Sequence, residues 1–409
     1  MGAQVETSRR SQSARLVLLL LVAGVAGAAL ARGLAAPSRA AEAERVLIPL
    51  AARPGLVITP VGGGFDQVTS VTNAGDGRLF IAQRDGLVYV RRVDGTTSVF
   101  LDIRDRVNPD GAEYGFFDLA FHPGYADPES PGFGQFFVTY TGDADGKLAL
   151  YLSRFRVSAN PDAANPASEA RLLRIRQQSP LHKGGGLDFN RLDNRLFMGV
   201  GEDTEIALAQ DMRSQKGKLL RVTVDDVPPE LTGNAEGRAA IDIWALGFRN
   251  PWRVDVDETS GRVYLGDVGS GAWEEVNSVP LQAQGANFGW PCREGPDASG
   301  DGYGIAACTD GRTFEEPLYA YAHGEYRCAI IGGHIVRDPV APGGRYVFAD
   351  VCSNEILTVA IIGPDTGQAR VAGVLEGVEP IISLGEDAGG NPYAGVGGPA
   401  RPVFRLTLP

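Results

Sequence analysis

An all-β chain, folded as a six-bladed β-propeller of four-stranded antiparallel blades, is predicted by three observations. The 409 residues include 54 glycines and 26 prolines, without a collagen period, and these punctuate short apolar runs throughout the chain. Helical periodicity is absent except for a turn or two near 207–216. A short phrase of turn residues, a polar residue and two or three apolar or aromatic residues recurs six times: Asp76-Gly-Arg-Leu-Phe-Ile-Ala82, Gly134-Gln-Phe-Phe-Val-Thr-Tyr140, Asp193-Asn-Arg-Leu-Phe-Met-Gly199, Gly261-Arg-Val-Tyr-Leu-Gly-Asp267, Gly344-Arg-Tyr-Val-Phe-Ala-Asp350 and Gly390-Asn-Pro-Tyr-Ala-Gly-Val396. Each phrase has the residues of an inner strand entered from a tight turn, and the interval to the next leaves room for further strands, as in a propeller blade. Uneven intervals mean inserted loops, and a pair of β-sandwiches is the competing architecture.

Taken in order, residues 1–41 have the layout of a secretory signal. The basic stretch Ser8-Arg-Arg-Ser-Gln-Ser-Ala-Arg15 precedes an apolar run from Leu16 to Ala31 and small residues up to Ala41. The alternative is a retained N-terminal anchor that tethers the protein to a membrane. Residues 42–55 read as a linker and 56–409 as the propeller. Export agrees with the cysteines, since an even number in an exported chain implies disulfides. Four cysteines allow three pairings; neighbour logic favours Cys292 with Cys308, across a Gly/Asp-rich loop, and Cys328 with Cys352, between two strand-like segments. Their spacing fits no common zinc pattern.

The formal charge of −12 excludes a nucleic-acid partner, which requires clustered cations to displace counterions from phosphates. An acidic chain outside the cell is compatible with Ca²⁺, which takes carboxylate and carbonyl oxygens. Of the four histidines, His182 is best placed for chemistry. It stands in Ser179-Pro-Leu-His-Lys-Gly-Gly-Gly-Leu-Asp-Phe189, just before a strand-like stretch, where an imidazole can take a proton near neutral pH and the glycines let a flat ligand approach the backbone. His122, in Phe121-His-Pro123, reads as a turn histidine. His323 lies among Tyr319, Tyr321 and Tyr326, whose faces could pack on a sugar ring. No nucleotide-binding glycine fingerprint, serine nucleophile elbow or zinc helix motif occurs.

The succession Glu113-Tyr-Gly-Phe-Phe-Asp-Leu-Ala-Phe-His-Pro123, His182-Lys-Gly-Gly-Gly-Leu187, Gly199-Val-Gly-Glu-Asp203, Gly217-Lys-Leu-Leu-Arg-Val222, Leu246-Gly-Phe-Arg-Asn-Pro-Trp252, Asp267-Val-Gly-Ser-Gly-Ala-Trp-Glu-Glu-Val-Asn277 and Asn287-Phe-Gly-Trp-Pro291 resembles the glucose/sorbosone dehydrogenase family, the soluble aldose dehydrogenases that use pyrroloquinoline quinone (PQQ). The resemblance runs in order from about Gly62 to the C-terminus. It implies a six-bladed propeller with the quinone lying over Ca²⁺ at the mouth of the central channel, an aldose substrate oxidised at its anomeric hydroxyl, and an external electron acceptor. His182 matches the histidine that takes the substrate proton. Arg249 and Asn250 match the cofactor-facing pair, and a planar guanidinium suits quinone carbonyls and carboxylates. Gly269 and Ser270 match the segment whose carbonyls hold calcium, with Glu275 a further oxygen donor nearby. Glu113 falls where the family often has a glutamine touching cofactor or substrate. Glu202 falls where it has an acid near the histidine, placed to orient His182. His334 lies roughly where a cofactor-stacking tyrosine is found.

Two departures stand out. Leu181 replaces the aspartate that precedes the histidine in the best-known glucose-oxidising members. Where those members carry a pair of arginines before the last blade, this chain reads Gly377-Val-Glu-Pro-Ile-Ile-Ser-Leu-Gly-Glu-Asp387, so a tricarboxylate cofactor would meet acids unless Ca²⁺ or a residue such as Arg337 or Arg345 compensates. Cys328-Ala-Ile-Ile-Gly-Gly333, Phe348-Ala-Asp-Val-Cys352 and Ile382-Ser-Leu-Gly-Glu-Asp387 are similar to the hedgehog-interacting-protein-like branch, which implies a second reading: a non-catalytic propeller that binds a protein or glycan. A third is a calcium-dependent, lactonase-type hydrolase on the same kind of scaffold.

Overall fold

The computed structural model describes residues 55–409 apart from 303, 339 and 340. The predicted signal or anchor, 1–41, and nearly all of the linker lie outside the described residues. Six sheets, each built on four antiparallel strands, surround one axis, and short strands at Gly233–Asn234 and Ala286–Asn287 add in parallel to the outer edges of the second and third. Blade 1 comprises Val68–Thr72, Leu79–Gln83, Leu87–Arg91 and Thr97–Asp102. Blade 2 runs through Phe116–Phe121, Gln135–Gly142, Ala149–Val157 and Ala164–Arg176, and blade 3 through Gly184–Asn190, Arg195–Val200, Lys218–Thr223 and Ala240–Leu246. Blade 4 has Pro251–Asp257, Arg262–Asp267, Trp273–Pro280 and Tyr319–Ala322; blade 5 has Ile330–Asp338, Ala341–Asp350, Glu355–Ala360 and Ala369–Val374. Blade 6 takes Ile381–Glu386, Pro392–Val396 and Arg401–Thr407 from the C-terminus and Val57–Phe65 from the N-terminal side, with Val57 opposite Thr407. The N-terminal strand thereby covers the edge of Arg401–Thr407 and joins the two ends of the propeller in one blade.

The six recurring phrases mark the second strand of each blade, one position out from the axis, and the innermost strand precedes each of them. The difference has a physical basis. A second strand is paired on both edges and sandwiched between neighbouring blades, so its two faces are both apolar: Phe136 packs with Phe80, Phe100 and Phe155 between blades 1 and 2, while Phe137, next in sequence, packs with Phe189 and Met198 between blades 2 and 3. An innermost strand is also packed on both faces, Phe116 toward blade 1 and Phe117 toward blade 3, but only one of its edges is paired; the other borders the channel, where polar residues and glycines interrupt the run, so its apolar signal is weaker. The helical turn expected near 207–216 is a short 3-10 helix, Ile206–Gln210. The long interval in blade 4 holds an inserted loop with a two-stranded hairpin, Arg293–Glu294 and Asp297–Ala298. Cys292 is bonded to Cys308 and Cys328 to Cys352, with Cα separations of 5.0 and 5.7 Å, as neighbour logic favours.

Candidate active site

All innermost strands start on one face of the ring, and the loops that lead into them bring together residues distant in sequence. His182 and Lys183 precede the innermost strand of blade 3, Glu113 precedes that of blade 2, and Arg249 and Asn250 precede that of blade 4. Glu113 Oε2 accepts hydrogen bonds from the His182 amide at 2.8 Å, the Lys183 amide at 3.2 Å and Asn250 Nδ2 at 3.1 Å, while Asn250 Oδ1 accepts from the Gly184 amide at 2.8 Å. One carboxylate and one carboxamide thus tie three blades together around the histidine. Gly201 makes the approach feasible, because a Cβ there would stand 2.0 Å from the His182 carbonyl oxygen.

The imidazole is held from the other side. His182 Nδ1 lies 2.5 Å from Oε1 of the fully buried Glu202, whose own amide donates to the Arg249 carbonyl at 2.9 Å. Burial is the largest influence on both groups. It drives His182 down to about 3, helped by the adjacent Arg249 guanidinium, and pushes Glu202 up to about 8. The pair therefore favours its uncharged form at neutral pH, with one proton in the short bond between Oε1 and Nδ1. While Glu202 keeps that proton, the imidazole carries its hydrogen on Nε2; once it is lost, Nδ1–H points at the carboxylate and Nε2 has a free lone pair.

Beneath this pair lies an ion cluster that inspection of the sequence missed. Asp203 is paired with Lys183 and, at 2.7 Å, with Lys216, and it accepts from the Gln178 and Ser179 amides at 2.7 and 3.0 Å. His182, Asp203 and Thr204 have φ of 60°, 58° and 63°, a left-handed conformation costing about 1 kcal/mol or more for each non-glycine residue. Such strain persists only where surrounding bonds over-determine it, and here it is concentrated around one imidazole.

Arg249 and Asn250 are fixed by Asp267, which accepts from their amides at 3.0 and 2.6 Å. The Arg249 side chain donates through Nη1 to the Val268 carbonyl at 3.0 Å and lies 5.6 Å from the Trp290 ring centre, and Trp290 Nε1 is buried without a partner. Gly269 and Ser270 follow directly. The amides of Ser270, Gly271, Ala272 and Trp273 all donate to Glu294 Oε1, at 2.7, 2.8, 2.8 and 3.2 Å, and Ser270 Oγ donates to Asp301 at 3.0 Å. This concave array of amides around one carboxylate dictates the path of the segment. Glu275, opposite Asp267 on the neighbouring strand, is buried and pushed up to about 7; it accepts from the Gly295 amide at 2.5 Å and from Asn277 at 2.9 Å.

The remaining expected residues stand apart. His334 is in the middle of the innermost strand of blade 5 and lines the axial cavity; no hydrogen bond joins it to the His182 group. His323 is bonded through Nε2 to buried Glu274. His122 is a turn histidine, accepting from the Gly124 amide at 2.9 Å and bonded to Asp225 at 2.8 Å. Arg337 and Arg345 do not compensate for the missing arginines: Arg337 pairs with Asp257 at 2.6 Å, Arg345 donates to Thr358 at 2.8 Å, and both lie toward the opposite face of the ring. In the acidic C-terminal stretch, Glu379 pairs with Arg401 at 3.0 Å and Asp387 holds a turn through Asn391. Among the described residues the only trio of potential metal ligands at mutual coordination distance is Cys328, Asp350 and Cys352, two of which are committed to the disulfide.

The histidine–carboxylate pair and the arginine thus stand together at one end of the axis of a six-bladed propeller. The chain belongs to the glucose/sorbosone dehydrogenase family, whose model matches residues 65–337. It is similar to HIPL1 protein of Arabidopsis thaliana, 25% identical over an alignment 358 positions long that covers 69% of this chain and 50% of that protein. It is also similar to the aldose sugar dehydrogenase YliI of Escherichia coli, 29% identical over 184 residues, 43% of this chain and 46% of that protein. The chain spans about half the length of the curated relatives it matches. In fold it resembles the PQQ-bound aldose sugar dehydrogenase of Streptomyces coelicolor, with TM-score 0.64, 21% identity and coverage of 88% of this chain and 100% of that one. The apo-form of the soluble aldose sugar dehydrogenase of Escherichia coli gives TM-score 0.68, 18% identity and coverage of 87% and 100%.

Proposed function

We propose that this protein is an exported, PQQ-dependent oxidoreductase that converts the anomeric C1 hydroxyl of an aldose to a lactone and passes electrons to an external acceptor. The observation that carries the reading is the His182–Glu202 pair, buried and strained at the channel mouth beside Arg249. The donors there suit an oxygen-rich, planar ligand: among the described residues Arg249 has one of its N–H groups engaged and Trp290 Nε1 is buried without a partner. PQQ, when bound, supplies the two-electron carbonyl that accepts hydride.

The chain's own residues do the rest. Arg249 grips a quinone carbonyl or carboxylate, and Asn250 and Glu113 hold the loops in register. Gly269 and Ser270 offer carbonyl oxygens to Ca²⁺, with Glu275 kept behind them by Gly295 and Asn277. His182 takes the hydroxyl proton on Nε2 as hydride leaves C1, and Glu202 steadies the imidazolium. We assign 1–41 to a signal or membrane tether, 42–55 to a linker and 56–409 to the propeller. The two disulfides agree with export; among the described residues no helix is long and apolar enough to cross a membrane.

A second reading, a propeller that binds a protein or glycan over the same mouth, is favoured by one feature: acids stand where the best-known quinone enzymes have arginines, and Arg337 and Arg345 are occupied elsewhere. Titrating the purified chain with PQQ and Ca²⁺, followed by dye reduction on a panel of aldoses, separates the two. Saturable binding with aldose-dependent reduction establishes the dehydrogenase, whereas no binding at micromolar PQQ assigns the mouth to a macromolecular partner.

A further inference from the structure

The axis holds a second polar site, below the mouth. A cavity of about 80 Å³ is lined by residues from all six innermost strands, large enough for several waters. Its charged walls are Asp118, Asp188, Arg191, Arg253, Asp255 and Glu386. Asp118 and Arg253 neutralise each other at 2.7 Å. That leaves Asp188, Asp255 and Glu386 facing a single guanidinium, Arg191, which lies 3.9 Å from yet another carboxylate, Glu258. The same cavity is lined by His334, 4% exposed, whose two ring nitrogens both lack a partner among the described residues. A buried imidazole donates from one nitrogen and accepts at the other, and leaving both unmade is costly. Asp188 and Asp255 are mid-strand and Glu386 ends its strand, so the cluster sits in the half of the channel away from His182.

We propose that this cavity binds a hydrated divalent cation, held on the propeller axis by Asp188, Asp255, Glu386 and His334. Burial, and repulsion among the three carboxyls, push Asp188, Asp255 and Glu386 upward; fully ionised they would exceed the one shared guanidinium by two charges, an excess that a divalent ion offsets. No three of these ligand atoms lie within 4.8 Å of one another, so bridging waters complete the shell, as hard cations readily allow. The ion ties blades 3, 4, 5 and 6 together at the axis. The site is independent of the chemistry proposed for the mouth.

Because the chain has four histidines, imidazole nitrogen resonances report on each region separately. The full chain, stripped with chelator and labelled at histidine, is titrated with Mn²⁺, with His334→Gln used to assign the signal. Selective paramagnetic broadening of His334 at near-stoichiometric Mn²⁺, reversed by Ca²⁺ or Mg²⁺ and requiring at least tenfold more Mn²⁺ in Asp255→Asn, is the expected result. A His334 signal that keeps its width to millimolar Mn²⁺, or broadening confined to His182 and His323, overturns the proposal. The wild-type titration decides the matter even should the Asp255 variant fold poorly, and it reads nothing from the dehydrogenase reaction.

Discussion

His182 has a backbone that only surrounding bonds could hold and a ring whose outer nitrogen is the one free to act. Replacing it with Ala is expected to lower kcat/KM by about 10²–10⁴ while leaving PQQ affinity within a few-fold, as for loss of a general base; stopped-flow turnover and cofactor titration together check this. The pH profile follows from the shared proton. Glu202 is raised, so its acid form persists through neutrality and keeps the hydrogen on Nε2; activity should climb as pH rises through about 8 and the carboxylate forms. Glu202→Gln cannot ionise, so the limb near pH 8 should vanish, leaving kcat flat over that range with KM little changed. A Glu202 that merely packs would lower the rate without moving the profile. His182 and its glycines were legible in the sequence because a histidine among glycines before a strand is rare. Asp203, Lys183 and Lys216 were not, because a buried lysine–aspartate cluster looks like surface charge until the chain folds over it.

The loop between the second and third strands of blade 4 shows what an element can hide. Gly269 and Ser270 were singled out for their carbonyls, yet the segment's shape comes from Glu294, which lies on an inserted hairpin more than twenty residues along and collects four amides. Glu294→Ala should leave those amides without an acceptor and speed their hydrogen exchange by about tenfold or more while the blade strands stay protected; unchanged protection at 270–273 would show that the loop stands without it. If the carbonyls there hold Ca²⁺, the same variant should weaken Ca²⁺-dependent PQQ binding. The recurring phrases illustrate the complementary case. They were read as inner strands and proved to be second strands, because uninterrupted apolar character belongs to the strand paired on both edges and away from the axis, while the innermost strand is diluted by Asp118, Asp188, Asp255 and His334, which line the axial cavity.

For the whole molecule, closure of the ring depends on Val57–Phe65 joining the last blade across the full length of the chain. Deleting residues up to Phe65 exposes the edge of Arg401–Thr407 and uncovers Val403 and Leu406, both buried; it should lower Tm on the order of 10 °C and promote self-association, measurable by calorimetry and light scattering. By itself the sequence determined the number of blades and the family, favoured the disulfide pairing that is found and singled out His182, because these rest on periodic burial, on neighbour spacing and on short contiguous phrases. Tertiary structure alone decided which residues touch His182, that Arg337 and Arg345 are engaged elsewhere, and that His334 looks into an acidic axial cavity, because a propeller brings one short stretch from every blade to a common axis, and proximity around that axis has no counterpart in sequence separation.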